Sequence, residues 1–282
     1  MDKWVVYILL AVCLSSCGQA SGNKQVKQGT DSLQNDTVVS HSVDSLAYAY
    51  LKSGRIMYEN GDKLGAIAKY NKAIEIDPLY MLAYYNRGLS KSKIGDNQGA
   101  IDDYSKAIQI NPQYIKAYFS RGLIKSKLGD NKEAIVDYSK AIQINPQYIK
   151  AYFNRGNCKS KLGDKEGAIS DYNKAIELDA QNINAYINLG VEKYELGDYE
   201  GEIATYRLAI KNCSPDADLY NNLGRALYDL KRFKEAAEAY GEGIKAFPND
   251  GKLYYGRGLA RKQSGDKNGA CEDWHRSSEL GC

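Results

Sequence analysis

Residues 81–114 read MLAYYNRGLSKSKIGDNQGAIDDYSKAIQINPQY, and the same pattern returns every 34 residues through most of the chain. Its most regular member is a glycine, which occurs at Gly54, Gly88, Gly122, Gly156, Gly190, Gly224 and Gly258. A fixed period of this length indicates one supersecondary unit repeated in tandem. Such units contact mainly their neighbours and stack into an elongated body with a long curved surface.

The repeat divides the chain into seven units when each unit is counted from seven residues before its glycine. The units span 47–80, 81–114, 115–148, 149–182, 183–216, 217–250 and 251–282. We number the positions within a unit from 1 to 34. Position 4 is tyrosine in all seven units, position 20 is alanine in six, and position 24 is tyrosine in six and tryptophan in the last.

The spacing within a unit predicts two helices. Positions 4, 8 and 11 share one helical face, and positions 20, 24 and 27 share another. Between these faces lies a Gly-Asp pair, as in Gly95-Asp96, in which the glycine ends one helix and the aspartate caps the next. Proline at position 32, as in Pro112, closes the second helix because it lacks a backbone N–H. Each unit is therefore predicted to form helix A, a tight turn and helix B.

This pattern resembles the tetratricopeptide repeat family over residues 47–282. The resemblance implies an all-α fold, a right-handed α-solenoid of seven tandem 34-residue helix-turn-helix repeats. In that family the helices A line a concave groove that binds other proteins. Two departures, Glu202 at position 20 and Lys231-Arg232 in place of Gly-Asp, predict local irregularity without a change of fold.

Composition narrows the class of function. The net charge of only +3 argues against nucleic-acid binding driven by bulk electrostatics. The two histidines, His41 and His275, have no repeat-borne partner for nucleophilic catalysis, and no Cys/His cluster has metal-ligand spacing. We expect no enzyme activity, no cofactor and no metal.

The amino-terminal residues predict export and lipid attachment. Lys3 precedes a short apolar run from Trp4 to Leu14, which is too short to span a bilayer and fits a signal peptide over residues 1–16. The sequence Leu-Ser-Ser-Cys at 14–17 resembles the lipobox of bacterial lipoproteins, which implies cleavage before Cys17 and lipidation of that cysteine. An ordinary secretory peptide with an incidental cysteine is the alternative.

Residues 17–44 are predicted to be a disordered polar tether that follows the lipid anchor, because residues 18–44 hold few apolar side chains. The first helix is expected to start at Asp44-Ser45. Gly18 stands where an aspartate would resemble the inner-membrane retention signal of enteric bacteria. The expected location is therefore the cell envelope, lipid-anchored and at the outer membrane.

Four cysteines remain in the repeats, at Cys158, Cys213, Cys271 and Cys282. Cys271 and Cys282 are eleven residues apart on one predicted helix, which separates them by about 16 Å. A disulfide needs Cα atoms within about 7 Å. We predict buried free thiols.

Arginine at position 7 and aspartate at position 23 occur together in the same four units. Since these positions face each other across the two antiparallel helices, we predict an ion pair within each unit. The predicted pairs are Arg87 with Asp103, Arg121 with Asp137, Arg155 with Asp171 and Arg257 with Asp273.

Positions 2, 5, 9, 12 and 13 form the exposed face of helix A and predict the binding groove. Over units two to four this face is aromatic with a lysine edge, and further on it turns to asparagine and acidic residues. The candidate binding residues are Tyr85, Leu89, Lys93, Phe119, Leu123, Lys127, Phe153, Asn157, Lys161, Ile187 and Asn188.

An aromatic floor with a basic rim suits an extended peptide that carries apolar and acidic side chains. The sequence therefore predicts a membrane-anchored scaffold or adaptor of the cell envelope that binds protein partners or extended peptides. A glycan-binding envelope lipoprotein is the alternative, since tyrosine and asparagine side chains also suit carbohydrates.

Overall fold

The computed structural model describes the backbone of residues 31–282 and the side chains from residue 45 onward. The predicted signal peptide at 1–16, the lipid-attachment residue Cys17 and the tether as far as residue 30 lie outside the described residues. Val43–Cys282 is a compact unit, separate from residues 1–42. This second unit contains all seven repeats.

The described residues form fourteen α-helices and no β-strand, as the repeat predicts. Every unit contributes one odd-numbered helix A and one even-numbered helix B. The helices are α1 (Asp31–Glu59), α2 (Lys63–Ile76), α3 (Met81–Lys93), α4 (Asn97–Ile110), α5 (Ile115–Leu128), α6 (Asn131–Ile144), α7 (Ile149–Lys161), α8 (Lys165–Leu178), α9 (Ile183–Glu195), α10 (Tyr199–Asn212), α11 (Ala217–Asp229), α12 (Phe233–Ala246), α13 (Gly251–Ser264) and α14 (Lys267–Glu279).

The first helix starts earlier than the sequence predicts. Helix α1 begins at Asp31, whereas the expected start was Asp44-Ser45, so its first turns overlap the predicted tether. Residues 31–53 contain neither glycine nor proline, and these residues are the usual signals that interrupt a helix. A polar composition therefore did not mark the boundary of this helix.

The two helices of a unit pack closely through the glycine at position 8 and the aromatic ring at position 24. A Cβ atom added to Gly122 would lie 2.8 Å from a ring carbon of Tyr138, and one added to Gly88 would lie 2.8 Å from Tyr104. Real Cβ atoms do not approach other atoms this closely. The 34-residue recurrence of this glycine thus reflects a steric requirement.

The turn between the helices follows the predicted chemistry. Gly95 has a left-handed φ of 89°, and the N–H of Asp96 donates to the carbonyl of Lys91 at 2.9 Å. The carboxylate of Asp96 then accepts from the backbone N–H of Gly99 at 2.9 Å. This side-chain cap satisfies one of the free N–H groups at the start of α4.

The sixth unit shows the irregularity that its sequence predicts. Lys231 takes the turn position of the missing glycine at φ 60°, the one non-glycine residue of the described chain with a positive φ. Arg232 stands at the N-cap of α12 without a side-chain cap and instead forms ion pairs with Glu200 and Glu235. The helix hairpin is retained.

The four described cysteines are free, as predicted. The expectation that they are buried is correct for Cys158 and wrong for the others, since Cys213 is half-buried and Cys271 and Cys282 are exposed. Cys271 and Cys282 both lie in unit seven. Within the residues from 31 onward, no helix is both long and apolar enough to cross a membrane.

Candidate functional site

The helices A lie on the inner side of the stack. Helices α3, α5 and α7 contact one another in succession, as do α11 and α13, whereas the corresponding helices B are more widely separated. Closer spacing on one side of a solenoid curves the stack toward that side. The surface formed by the helices A is therefore the groove.

Cavities open into this groove at three equivalent junctions between units. Each has the ring at position 24 as its floor, with helix A of the same unit and helix A of the next unit as its walls. The first, of about 200 Å³, is lined by Arg55, Tyr58, Glu59, Tyr70, Asn86 and Leu89. The second, of about 310 Å³, is lined by Asn157, Ser160, Lys161, Tyr172, Asn188, Val191 and Glu192. The third, of about 490 Å³, is lined by Asn221, Arg225, Tyr240, Lys252, Tyr255, Gly256, Leu259 and Cys282.

The floor tyrosines are neutral hydrogen-bonding groups at ordinary pH. Burial raises the pKa of Tyr70 to about 12 and that of Tyr240 to about 12, and it also raises the pKa of Tyr172. Desolvation disfavours the phenolate, so the hydroxyl keeps its proton. The floor of each cavity is thus an apolar ring with one polar atom.

The aromatic residues at position 5 are less exposed than the sequence predicts. The Tyr85 ring lies 5.8 Å from that of Tyr104 and 5.1 Å from that of Tyr114. Phe119 packs in the same way, 5.8 Å from Tyr138 and 5.1 Å from Tyr148 between ring centroids.

Phe153 lies 6.0 Å from Tyr172. All three position-5 rings are half-buried, because the tyrosine at position 24 covers part of each and, in units two and three, a tyrosine at position 34 covers a second part. They form the floor of the groove and also belong to the core.

The rim of the groove is exposed. Lys93, Lys127 and Lys161 are exposed, and Leu123 keeps 39% of its surface open to solvent. Leu89 and Ile187 are half-buried. The lysine edge therefore lies at the surface along units two to four.

The junction between units four and five has a different polarity. Tyr172 donates its hydroxyl proton to Oδ1 of Asn157 at 2.8 Å, and Nδ2 of Asn188 donates to the same oxygen at 2.9 Å. Two predicted groove residues, Asn157 and Asn188, are thus brought together across two units. Glu192 lines the same cavity and was not among the predicted residues.

The predicted ion pairs are present in all four units, and each is bidentate. In unit three, Nε of Arg121 donates to Asp137 at 3.0 Å and Nη2 donates to its other oxygen at 2.6 Å. The carboxylates of all four aspartates are buried. The matching distances in the other units are 2.9 and 2.6 Å for Arg87–Asp103, Arg155–Asp171 and Arg257–Asp273.

Each buried aspartate also contacts a second cation that the sequence analysis missed. In unit three Nζ of Lys125 lies 3.0 Å from Asp137, and the equivalent contacts come from Lys91, Lys159 and Arg261. These residues occupy position 11 of the same four units, a signal that was available in the sequence. Arg121 also donates to Ser105 of the preceding unit at 2.8 Å, so the network links neighbouring repeats.

These observations define the class of protein: an α-solenoid of helix hairpins with a groove along its helices A. The TPR repeat model matches residues 54–95, 92–129 and 122–163. The tetratricopeptide repeat models match 149–182, 183–214 and 217–250. Since these matches together cover more than half of the chain, the protein belongs to the tetratricopeptide repeat family.

Solved structures share this fold. A tetratricopeptide repeat protein from Parabacteroides merdae has a TM-score of 0.59 and 20% identity, covering 84% of this chain and 94% of its own. MamA has a TM-score of 0.55 and 25% identity, covering 56% and 93%. YrrB, described as having an unusual peptide-binding site, has a TM-score of 0.51 and 18% identity, covering 63% and 92%. No curated protein sequence matches the chain.

Proposed function

We propose that this protein is a lipid-anchored scaffold or adaptor of the bacterial cell envelope, which holds protein partners by binding their extended segments in the groove. The observation that carries the proposal is the series of equivalent cavities along the helices A. Neighbouring helices A lie about 10 Å apart, and an extended peptide advances about 3.3 Å per residue. Every third side chain of such a peptide therefore meets one junction.

The lysine edge favours partners with acidic side chains. Lys93, Lys127 and Lys161 follow one another at the surface of units two to four, next to the half-buried aromatic floor. Charged rims steer a partner of opposite sign and fix its register. YrrB, which shares the fold and is described as having an unusual peptide-binding site, supports peptide binding by this protein.

The glycan alternative is less well supported. Carbohydrate recognition by stacking needs accessible ring faces, and the position-24 tyrosines are buried within the described units. Their pKa values are raised by the same burial. The regular aromatic column is therefore part of the core. Binding of a soluble glycan with quenching of tyrosine fluorescence would reverse this judgement.

The groove is tested by capture of partners from the native envelope with a crosslinker, followed by mass spectrometry. A variant carrying Lys93→Glu, Leu123→Asp and Lys127→Glu changes only exposed groove residues. We expect it to lose capture of the specific partners by about tenfold, because acidic replacements oppose an acidic segment.

A matched control places the same changes on the helices B. Lys106→Glu, Val136→Asp and Lys140→Glu carry an identical charge change away from the groove. Both variants should keep wild-type helicity. Equal capture by the groove variant and the wild type would refute the groove as the binding surface.

The lipid anchor is tested separately. Cys17→Ser should abolish incorporation of labelled palmitate and release the protein from the membrane fraction, because the proposed acyl chains attach to that cysteine. Cys271→Ser is the control, since this cysteine is exposed on α14. If the Cys17→Ser protein stayed in the membrane fraction, lipidation of Cys17 would be refuted as the means of anchoring.

A further inference from the structure

Glu192 is a buried acid on the groove side of α9. It occupies position 10, and its side chain has only 4% of its surface exposed. Its Oε2 atom has no hydrogen-bond partner, and no ion pair to Glu192 is formed among the described residues. The same position holds small or apolar residues in the other units: Ile56, Ser90, Ile124, Cys158, Ala226 and Ala260.

The cavity that Glu192 lines presents acceptors. The hydroxyl proton of Tyr172 is already given to Asn157, and Asn188 donates to the same amide oxygen. The acceptors left free to bind a guest are the amide oxygen of Asn188 and the carboxylate of Glu192, and the donors at the same cavity are the amide nitrogen of Asn157 and the ammonium group of Lys161 at its lip. A buried carboxylate without a partner is strongly destabilising, so a guest that brings donors and a positive charge is favoured.

We propose that this cavity binds the side chain of a lysine or arginine in the extended segment of a protein partner. The inference rests on the proposed scaffold function and specifies its ligand at one junction. The volume of about 310 Å³ suits one long side chain. A metal ion is disfavoured because no cluster of His, Cys, Asp or Glu in the described residues has a metal-binding arrangement.

The neighbouring charges support this assignment. Lys161 lies at the exposed lip of the cavity, and its ammonium group is not within ion-pair distance of Glu192. Glu195, one turn further along α9, pairs with Lys165 at 2.9 Å. The carboxylate of Glu192 thus remains available to a guest. A partner segment would carry acidic side chains over units two to four and a basic side chain at this junction.

A small thiol probe tests the cavity without knowledge of the partner. Ser160 lines the cavity, so Ser160→Cys places a thiol at its edge. The full-length variant is equilibrated with equal amounts of cystamine and bis(2-hydroxyethyl) disulfide under a reducing buffer. The adducts at residue 160 are then quantified by acid quench and peptide mass spectrometry. We expect the aminoethyl adduct to exceed the hydroxyethyl adduct by about tenfold or more, the usual gain from a charge-assisted hydrogen bond.

Three controls make the result specific. Adding Glu192→Gln to Ser160→Cys keeps the shape of the side chain and should abolish the preference. Adding Glu195→Gln instead should leave it unchanged. Ser92→Cys in unit two, whose next unit has Ile124 at position 10, should show no preference.

Equal capture of both probes at residue 160 would overturn the proposal. A preference that survives Glu192→Gln, or that is equally large at residue 92, would also overturn it by assigning the effect to general surface charge. Because this readout needs no partner, it separates the two proposals. A Glu192-dependent preference alongside undiminished partner capture by the groove variant would uphold the cavity and reject the lysine-edged groove of units two to four as the binding surface.

Discussion

Each glycine at position 8 lies against the ring at position 24 of its own unit. Because glycine has a hydrogen atom where other residues have a Cβ, helix A can approach helix B closely at this point. The gap would be 2.5 to 2.8 Å for an added Cβ in all seven units. The tyrosine behind it is almost fully buried in units one to six. A packed ring of this kind has little freedom to move aside.

Gly122→Ala should therefore destabilise the protein by about 1–3 kcal/mol, because the new methyl group overpacks Tyr138. The matched control is Gly241→Ala in α12, where the nearest atom to the new Cβ is 3.8 Å away. That change should be neutral or stabilising by about 0.5–1 kcal/mol, since alanine is the better helix former. Urea unfolding followed by circular dichroism measures both. Equal effects of the two substitutions would contradict the steric explanation.

The buried aspartate of the ion-pair network gives a second prediction at this scale. Asp137→Asn leaves Arg121 and Lys125 without their shared carboxylate, and removal of one member of a buried pair costs about 3–5 kcal/mol. Glu177→Gln is the control, since its pair with Lys174 is exposed and exposed ion pairs contribute little to stability. The free energies of unfolding of both variants test this. A loss below 1 kcal/mol for Asp137→Asn would show that the network stabilises the fold only weakly.

At the scale of helices, five of the helices B share a common start. An aspartate at position 16 accepts from the backbone N–H of a glycine at position 19, as in Asp164 with Gly167 at 3.0 Å. A Cβ on Gly167 would lie 2.6 Å from the capping oxygen of Asp164 and 2.2 Å from its other carboxylate oxygen. In unit three Glu133 replaces the glycine, and Asp130 forms no side-chain cap.

This difference predicts unequal effects of the same substitution. Asp164→Ala should lower the free energy of unfolding by about 1 kcal/mol, which is typical of a lost N-cap. Asp130→Ala should lower the free energy of unfolding by only a small fraction of this amount, because Asp130 forms no side-chain cap that could be lost. Urea unfolding of the two variants provides the comparison. A larger loss for Asp130→Ala would show that its carboxylate stabilises α6 in another way.

The helices were predictable because their signals are repeated and local. Glycine, aspartate and proline mark the same boundaries in successive units. Only α1 begins elsewhere, because no glycine or proline interrupts the helix between Asp31 and the repeat. The ion pairs were predictable because arginine and aspartate appear and disappear together. The groove was predicted only in outline. Whether Phe119 is exposed depends on Tyr148, which lies 29 residues later in the sequence, and helical periodicity does not encode that contact.

At the scale of the whole molecule, the core of the seven repeats changes its chemistry along the stack. Units two to four and unit seven contain the buried ion pairs, whereas units five and six have Leu189 with Thr205 and Leu223 with Ala239 at the same positions. A continuous apolar cluster runs from Tyr186 to Ala260 in this region. Since each repeat contacts mainly its neighbours, a perturbation in this cluster acts on the units that share it.

Glu202 is such a perturbation. It replaces the alanine of position 20, has only 2% of its surface exposed, and lies within the apolar part of the stack. Burial raises its pKa to about 7, with Asp229 adding to the shift and Arg225 opposing it. The ordinary value is 4.5, so the folded protein binds this proton more tightly than the unfolded chain does.

The free energy of unfolding should therefore fall as the pH rises between about 4.5 and 7. Above pH 7 the contribution of Glu202 should no longer change with pH. Below pH 4.5 the residue is protonated in both states and makes no difference. Glu202→Gln, which is permanently neutral, should match the wild type at pH 4.5 and exceed it by up to about 3 kcal/mol at pH 8. Urea unfolding of both proteins at these two pH values measures the difference. A pH-independent difference between wild type and Glu202→Gln would mean that Glu202 ionises in the folded repeats as it does in the unfolded chain, and that water or Arg225 already stabilises its charge.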